Sequence, residues 1–322
     1  METLKENENN KEEINKFKVM SYNVRCCDDI LRYEVDGSIK TRVNYVIKNI
    51  LYYMPDSIGF QEVVMCFNLK KDTWEYLLKE GLKEHYIGVG KGRDNKKKTE
   101  SNPIFFNKNK FELLDQGTKW LSPEPDKPFT EFGPPTDGCK RILTYVILKN
   151  IKTNNIYMHI NTHLDYKYLE NRIRQIKVVI DFISKYKNTY PIILTGDFNC
   201  GNKKHEIKNL DAVPFLLNNG FYNAAFEAKD CFNFWTFPSI DYHRKIYDLC
   251  KKRGYHKNGK DIKEQKDCDK NCDEERGSII DYCFRCNDKI KFSKYQVVTD
   301  YQICGGISSD HYPIYIEGYF TQ

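Results

Sequence analysis

Asp197 and Asn199 stand two residues apart in PIILTGDFNC (191–200), separated from the apolar run Ile192-Ile193-Leu194 by Thr195-Gly196. Side chains two apart in an extended chain point to the same face, so a buried strand here delivers a carboxylate and an amide together at its end. A turn accounts for the pair as readily as a reactive site does, because Asp and Asn bond nearby backbone. The pattern recurs, however. FKVMSYN ends in Asn23, and SIGFQEV brings Glu62 as its apolar run stops. HINTHLDY ends with His163 and Asp165, IIDYCF carries Asp281 inside an apolar stretch, and SSDHYP sets Asp310-His311 at a strand start. Each alone is a turn residue or a satisfied buried polar group. Repeated along the chain with Asn, Glu, His and Asp, they describe an acidic, histidine-bearing site at the ends of sheet strands.

That inventory suits hydrolysis of a phosphate ester. Glu62 is a hard oxygen ligand of the kind Mg²⁺ prefers, alongside several waters. A bound cation neutralises charge on phosphoryl oxygens. Asp197 is placed to align or deprotonate the attacking water. Imidazoles donate hydrogen bonds to charge developing on phosphorus, given acidic partners that keep them oriented and protonated.

The elements that must position these residues alternate between strand and helix patterns from residue 17 onward. The sequence predicts strands at 17–23, 57–63, 86–90, 101–106, 142–150, 156–166, 278–284 and 311–320, with another at PIILTGDFN. Helical spacing of apolar residues predicts helices at 41–54, 74–82 and 168–186. The proline-rich stretch 122–139 is too long for a tight connection, and 251–276 is a charged surface insertion with almost no core residues. Apolar strands resume on both sides of each, so the expectation is one domain over 17–322 behind a polar leader at 1–16, with mixed sheets and outer helices.

Composition narrows the class. With 40% apolar and 14% aromatic residues among 322, the chain can bury a sizeable core. A mean hydropathy of -0.68 argues against a membrane protein, and no run of about 18 apolar residues is present. The start METLKENENNKEEINK has no apolar segment of a secretory signal, which implies synthesis in the cytosol and a cytoplasmic or nuclear location. Twelve scattered cysteines are expected to be reduced; Cys268…Cys272 and Cys283…Cys286 have zinc-like spacing, but ligands three apart on a strand diverge. The net charge of +6 permits a polyanionic partner without requiring one. Lys96-Lys97-Lys98, Lys203-Lys204 and Lys251-Lys252-Arg253 sit in loop-like contexts and read as solvated surface.

SYNVR, GFQEV, NTHLDY, LTGDFN, IDYCF and SDHYP, in that order, closely resemble the endonuclease/exonuclease/phosphatase superfamily, over nearly the whole chain from residue 17. The resemblance implies an α/β fold, a four-layer sandwich of two packed mixed β-sheets flanked by helices. It implies a Mg²⁺ cofactor (with Mn²⁺ as the alternative) and a monomer acting on a phosphate ester, nucleic acid first. By the same resemblance Asn23, Glu62 and Asp310 match metal-binding positions, and Asp197 and Asn199 match the water-activating aspartate and its phosphate-side asparagine. His311 with Asp281, and His163 with Glu100, match two phosphate-stabilising imidazoles and their acids. Arg141 is placed to reach substrate phosphate or to form a structural salt bridge, and Asp165 either takes part in catalysis or supports it from within. Tyr166 departs from the histidine usual after HLD. The implied activity is nuclease-like phosphodiester hydrolysis; the alternatives are a lipid or inositol phosphate hydrolase and a non-catalytic member that binds nucleic acid or protein.

Overall fold

Lys16–Asn23 (β1) alternates between exposed and buried side chains as far as Lys18 and is then buried without interruption. A run covered on both faces belongs to a central strand, and β1 is one. The computed structural model describes residues 15–27, 38–66, 72–201, 211–238, 277–299 and 306–321. Most of the leader, the insertion at 251–276, Lys203-Lys204 and Cys268…Cys272 lie outside the described residues.

The remaining strands are Ser57–Gln61 (β2), Val63–Cys66 (β3), Tyr86–Val89 (β4), Lys98–Ser101 (β5), Ile104–Asn107 (β6), Phe111–Trp120 (β7), Ile142–Asn150 (β8) and Ile156–His163 (β9). They continue with Ile192–Asp197 (β10), Tyr222–Asn223 (β11), Asp230–Phe232 (β12), Phe237–Pro238 (β13), Gly277–Ser278 (β14), Asp281–Arg285 (β15), Ile290–Val297 (β16) and Ile314–Phe320 (β17). The helices are Ile39–Tyr53 (α1), Trp74–Leu82 (α2), Leu169–Ser184 (α3), Ala212–Asn218 (α4) and Ala224–Glu227 (α5).

Seven strands form one sheet in the order β12-β16-β17-β1-β2-β6-β4, and six form another in the order β11-β15-β10-β9-β8-β7. Both are mixed: β1 runs parallel to β2 and antiparallel to β17, while β10 runs parallel to β9 and antiparallel to β15. Three apolar layers hold them. Val19, Phe106, Val146, Ile193 and Ile316 fill the space between the sheets. Val46 and Ile50 of α1 with Leu78 of α2 cover the outer face of the first sheet over Met20 and Phe60. Ile176 and Val179 of α3 with Leu216 of α4 cover the second over Ile160 and Leu194. The expected four-layer α/β sandwich is therefore what forms.

Several boundaries differ from the expected ones for local reasons. The strand expected at 57–63 breaks at Glu62, whose φ of 61° is left-handed. The last strand starts at Ile314, so His311 lies in the turn before it. Strands β7 and β16 escaped the pattern reading. The first is an edge strand with a bulge between Leu113 and Asp115, and the second interleaves lysines with its buried residues. Residues 122–139 form a loop pinned by bonds within it and to α3. Ser122 Oγ meets Thr130 Oγ1 at 2.7 Å, and the Arg174 guanidinium holds the carbonyls of Gly133 and Pro135.

Candidate active site

A polar layer inside the sandwich sets the two sheets against each other. His159 Nδ1 bonds Ser57 Oγ and its Nε2 bonds Thr195 Oγ1, each at 2.8 Å. Gln61 Nε2 donates to Asn161 Oδ1 at 2.7 Å, and Asn161 Nδ2 donates to the Phe60 carbonyl at 2.6 Å. Gly59 permits this approach: a Cβ there would stand 2.5 Å from Thr195 Oγ1. Burial drives the His159 pKa down to about 3, so it bridges the sheets as a neutral ring. Hydrogen-bonded polar groups in a dry interior fix one alignment of the layers, and that alignment brings the strand ends together.

Register does the rest. Asp197 pairs with His163 across β10 and β9 and with Asp281 across β10 and β15, so the three stand at one level on adjacent strands. On the facing sheet Asn23 is level with Gln61, and Glu62 follows in the left-handed conformation. Asn23 Nδ2 bridges the gap between sheets, donating to Glu62 Oε1 at 3.0 Å and to Asp197 Oδ2 at 2.9 Å. Asn199, also left-handed with a φ of 48°, turns its amide back: its N–H donates to Asp197 Oδ1 at 2.9 Å, and its Nδ2 donates to His163 Nε2 at 2.9 Å. Left-handed backbone is unfavourable for Glu in particular, and its cost is tolerated where it aims a side chain into the cleft.

The charge states follow from burial and neighbours. Burial and the Asp281 charge push the Asp197 pKa up to about 7, against the pull of His311 and its bonds from Asn199 and Asn23. Burial works against a charged His311, yet Asp281, whose Oδ2 lies 2.8 Å from Nδ1, together with Asp197 and Asp310, raises its pKa to about 10. Burial and the Arg141 guanidinium drive His163 well below the ordinary histidine value. Accepting from Asn199 at Nε2 is what a neutral ring with its proton on Nδ1 does. The Cys26 N–H donates to Glu62 Oε2 at 2.9 Å. The imidazole edges of His163 and His311 lie 3.6 Å and 3.8 Å from Asp197 Oδ2.

Asn23, Glu62, His163, Asp197, Asn199, Asp281 and His311 thus converge, and the expected Asp281–His311 pair is formed. The others are placed differently. Glu100 does not orient His163: its Oε1 is bonded to Arg93 at 2.6 Å, and His163 turns to Asn199 instead. Of the two imidazoles expected to be charged, only His311 is. Asp197, at the end of its strand, is 1% exposed. Asp310, expected as a metal ligand, is bound by the Arg25 guanidinium, and among the described residues it belongs to no group of ligand atoms within 4.8 Å of one another, whereas Glu62, Asp197 and His311 form one. Arg141 is buried, bonded to Asp137, and leaves Nε and Nη1 without partners among the described residues. It therefore projects charge onto His163 from behind. Asp165 accepts from Asp137 N, Lys167 N, Tyr168 N and Asn171 Nδ2, which makes it the anchor of the 137–141 turn that carries Arg141. Sequence reasoning missed Phe237, whose ring centroid lies 4.9 Å from that of His311. It also missed the inter-sheet layer, although polar residues in mid-strand such as His159 and Asn161 were its visible sign.

No protein-family model matches this sequence, and no curated protein matches it. Solved structures do. An endonuclease/exonuclease/phosphatase from Bacteroides vulgatus superposes with a TM-score of 0.69 at 22% identity, covering 95% of this chain and 99% of that one. A mannosyl-6-phosphatase from Bacteroides thetaiotaomicron gives 0.66 at 21% identity, covering 94% of this chain and 100% of that one. TDP2 from D. rerio, complexed with a single-strand DNA product, gives 0.59 at 17% identity, covering 94% and 98%. The chain has the endonuclease/exonuclease/phosphatase fold.

Proposed function

We propose that the protein is a metal-dependent phosphoesterase with a nuclease-like preference for phosphodiesters. The observation that carries the reading is Asp197, held level with His163 and Asp281 and tied through Asn23 to Glu62. Glu62 and Asp197 offer carboxylate oxygens within 4.8 Å of each other; Asn23, expected as a metal ligand, instead donates its Nδ2 to both and turns its Oδ1 to the Arg25 N–H, so it orients the two carboxylates. The Glu62 carboxylate would be the hard oxygen ligand for Mg²⁺ or Mn²⁺, with waters completing the shell, and Asp197 stands beside it as the base. Asp310 steadies Arg25 beside it. When bound, the cation supplies charge neutralisation at the phosphoryl oxygens.

The chain's own residues supply the other requirements. Asp197, with a pKa near 7, takes a proton from the attacking water. His311 keeps its charge through Asp281 and donates from Nε2 to a phosphoryl oxygen. Asn199 fixes the ring of neutral His163, whose Nε2 edge lies 3.6 Å from Asp197 Oδ2. Arg141 adds positive potential behind them, and Asp165 supports it through the Asp137 turn.

The nucleic-acid preference rests on aromatic surface at the rim. Phe237 is partly exposed against His311, and Tyr166 is 62% exposed beside the Asp137 turn. Base stacking on such rings is worth about 1–3 kcal/mol per base. A second reading, a sugar-phosphate monoesterase, is favoured by the likeness to the mannosyl-6-phosphatase and uses the same residues. The test is hydrolysis in Mg²⁺ and in Mn²⁺ of single- and double-stranded DNA, RNA, poly(A), sphingomyelin, inositol phosphates and a hexose 6-phosphate. Oligonucleotide cleavage that stops in excess chelator is the expected result. Turnover of the hexose phosphate alone replaces it with the second reading, and an inert panel overturns the enzymatic one.

A further inference from the structure

Cys26 has no part in the chemistry above, yet its side chain stands inside the same cleft. Its Sγ and one oxygen each from Glu62 and Glu100 all lie within 4.8 Å of one another. The convergence is built by the backbone. The Cys26 N–H donates to Glu62 Oε2 at 2.9 Å, and β3 pairs with β5 so that Val64 faces Glu100, two residues beyond Glu62. Arg93 takes only Oε1 of Glu100, at 2.6 Å. Cys27 Sγ lies 3.3 Å from Cys26 Sγ, on the exposed side, so two sulfurs and two carboxylates share this corner.

This donor set differs in kind from the one that suits Mg²⁺. Oxygen-only sites take hard cations, whereas thiolate with carboxylate selects borderline ions, Zn²⁺ above all. Donor atoms around a tetrahedral Zn²⁺ stand roughly 3.5 Å apart, given Zn–S near 2.3 Å and Zn–O near 2.1 Å. Side-chain rotations of about an ångström therefore close the site. We propose that Cys26, Glu62 and Glu100 form a second cation site that takes Zn²⁺ and shares Glu62 with the catalytic cation. As the Zn–S bond forms the S–H bond breaks, and its proton leaves to solvent. With Glu62 drawn toward Cys26, Zn²⁺ inhibits Mg²⁺-supported turnover. That consequence rests on the proposed function; the binding does not.

The experiment uses the full chain freed of metal, titrated with Co²⁺ and then with Zn²⁺ against a chromophoric chelator. A near-ultraviolet thiolate-to-cobalt charge-transfer band that Zn²⁺ displaces is the expected result. Cys26→Ser abolishes the band and weakens Zn²⁺ by at least about tenfold, since even outer-shell partners of a metal are worth 10–100-fold. Glu100→Gln keeps the band and weakens Zn²⁺ in the same direction, which covers the case in which Cys26→Ser does not fold. No band in the wild type, a band that persists in folded Cys26→Ser, or unchanged Zn²⁺ affinity in Glu100→Gln overturns the site. Zn²⁺ binding with the band, in a protein inert toward every phosphate ester, leaves the site standing and removes the catalytic reading.

Discussion

Asp197→Asn keeps the volume of the side chain and removes its charge, and the structure gives that change a pH-dependent sign on stability. The folded carboxyl has a pKa raised from the ordinary 3.8 to about 7, chiefly by burial and by Asp281. A raised carboxyl pKa means the ionised form is disfavoured by the fold. The resulting cost is absent below pH 3.8, grows as pH rises, and is complete above about 7. Converted at ~1.4 kcal/mol per pH unit, the full cost is on the order of 4 kcal/mol. The amide escapes it but brings a mismatch. Oδ1 and Oδ2 accept from Asn199 N–H and Asn23 Nδ2, and one of these donors must now face an NH₂ group, at about 1–3 kcal/mol. The mismatch is the same at every pH and cancels in a comparison. Between about pH 4.5 and about pH 8 the mutant should therefore gain about 3 kcal/mol on the wild type. Urea unfolding followed by tryptophan fluorescence in chelator measures it at the two pH values. In the same mutant kcat should fall about 10²–10⁴-fold through loss of the base, with KM little changed. A stability difference that does not move with pH refutes the buried, destabilised carboxylate. A kcat within a few-fold of wild type refutes its role as base.

Glu62→Gln should raise the Mg²⁺ concentration needed for half-maximal activity by about tenfold or more, since it removes a charged hard ligand; full hydrolysis in excess chelator contradicts the metal-dependent mechanism. The pH–rate profile should rise as Asp197 ionises through about 7 and fall as His311 loses its proton through about 10. Added Mg²⁺ should move the acid limb to lower pH, because a cation beside a carboxylate favours its charged form. His311 also links to stability: its raised pKa contributes stabilisation fully present below 6.5 and lost as pH rises through about 10, visible as a Tm that declines over that range. Asp165→Ala strands the donors of Asp137, Lys167, Tyr168 and Asn171 and should cost on the order of 2–4 kcal/mol in urea unfolding. Turnover per folded molecule should fall less than about tenfold; a 10²-fold loss at unchanged stability would return Asp165 to the chemistry.

The polar residues at strand ends were legible because they are local. A strand buried on both faces reads as a continuous apolar run, and the residue that ends it is free to be Asn, Glu, His or Asp. Thus Asn23, Glu62, His163 and Asp197 stand out from one-dimensional pattern, while the resemblance carried by the order of the motifs supplies the fold and their expected roles. The two-residue spacing of Asp197 and Asn199 proved to be one unit, in which the second N–H binds the first carboxylate. Partnership across space was another matter. Whether Glu100 meets His163 or Arg93 depends on which strands are neighbours and at what register, and no spacing along the chain encodes it. Nor does composition reveal that Asp197 is dry, that His163 is neutral while His311 is charged, or that Arg141 stands behind the site. A side chain's type sets what it can do. The charge it carries depends on how much water and which charges surround it, and only the packing of one sheet on the other, through His159, Asn161 and Gly59, decides that.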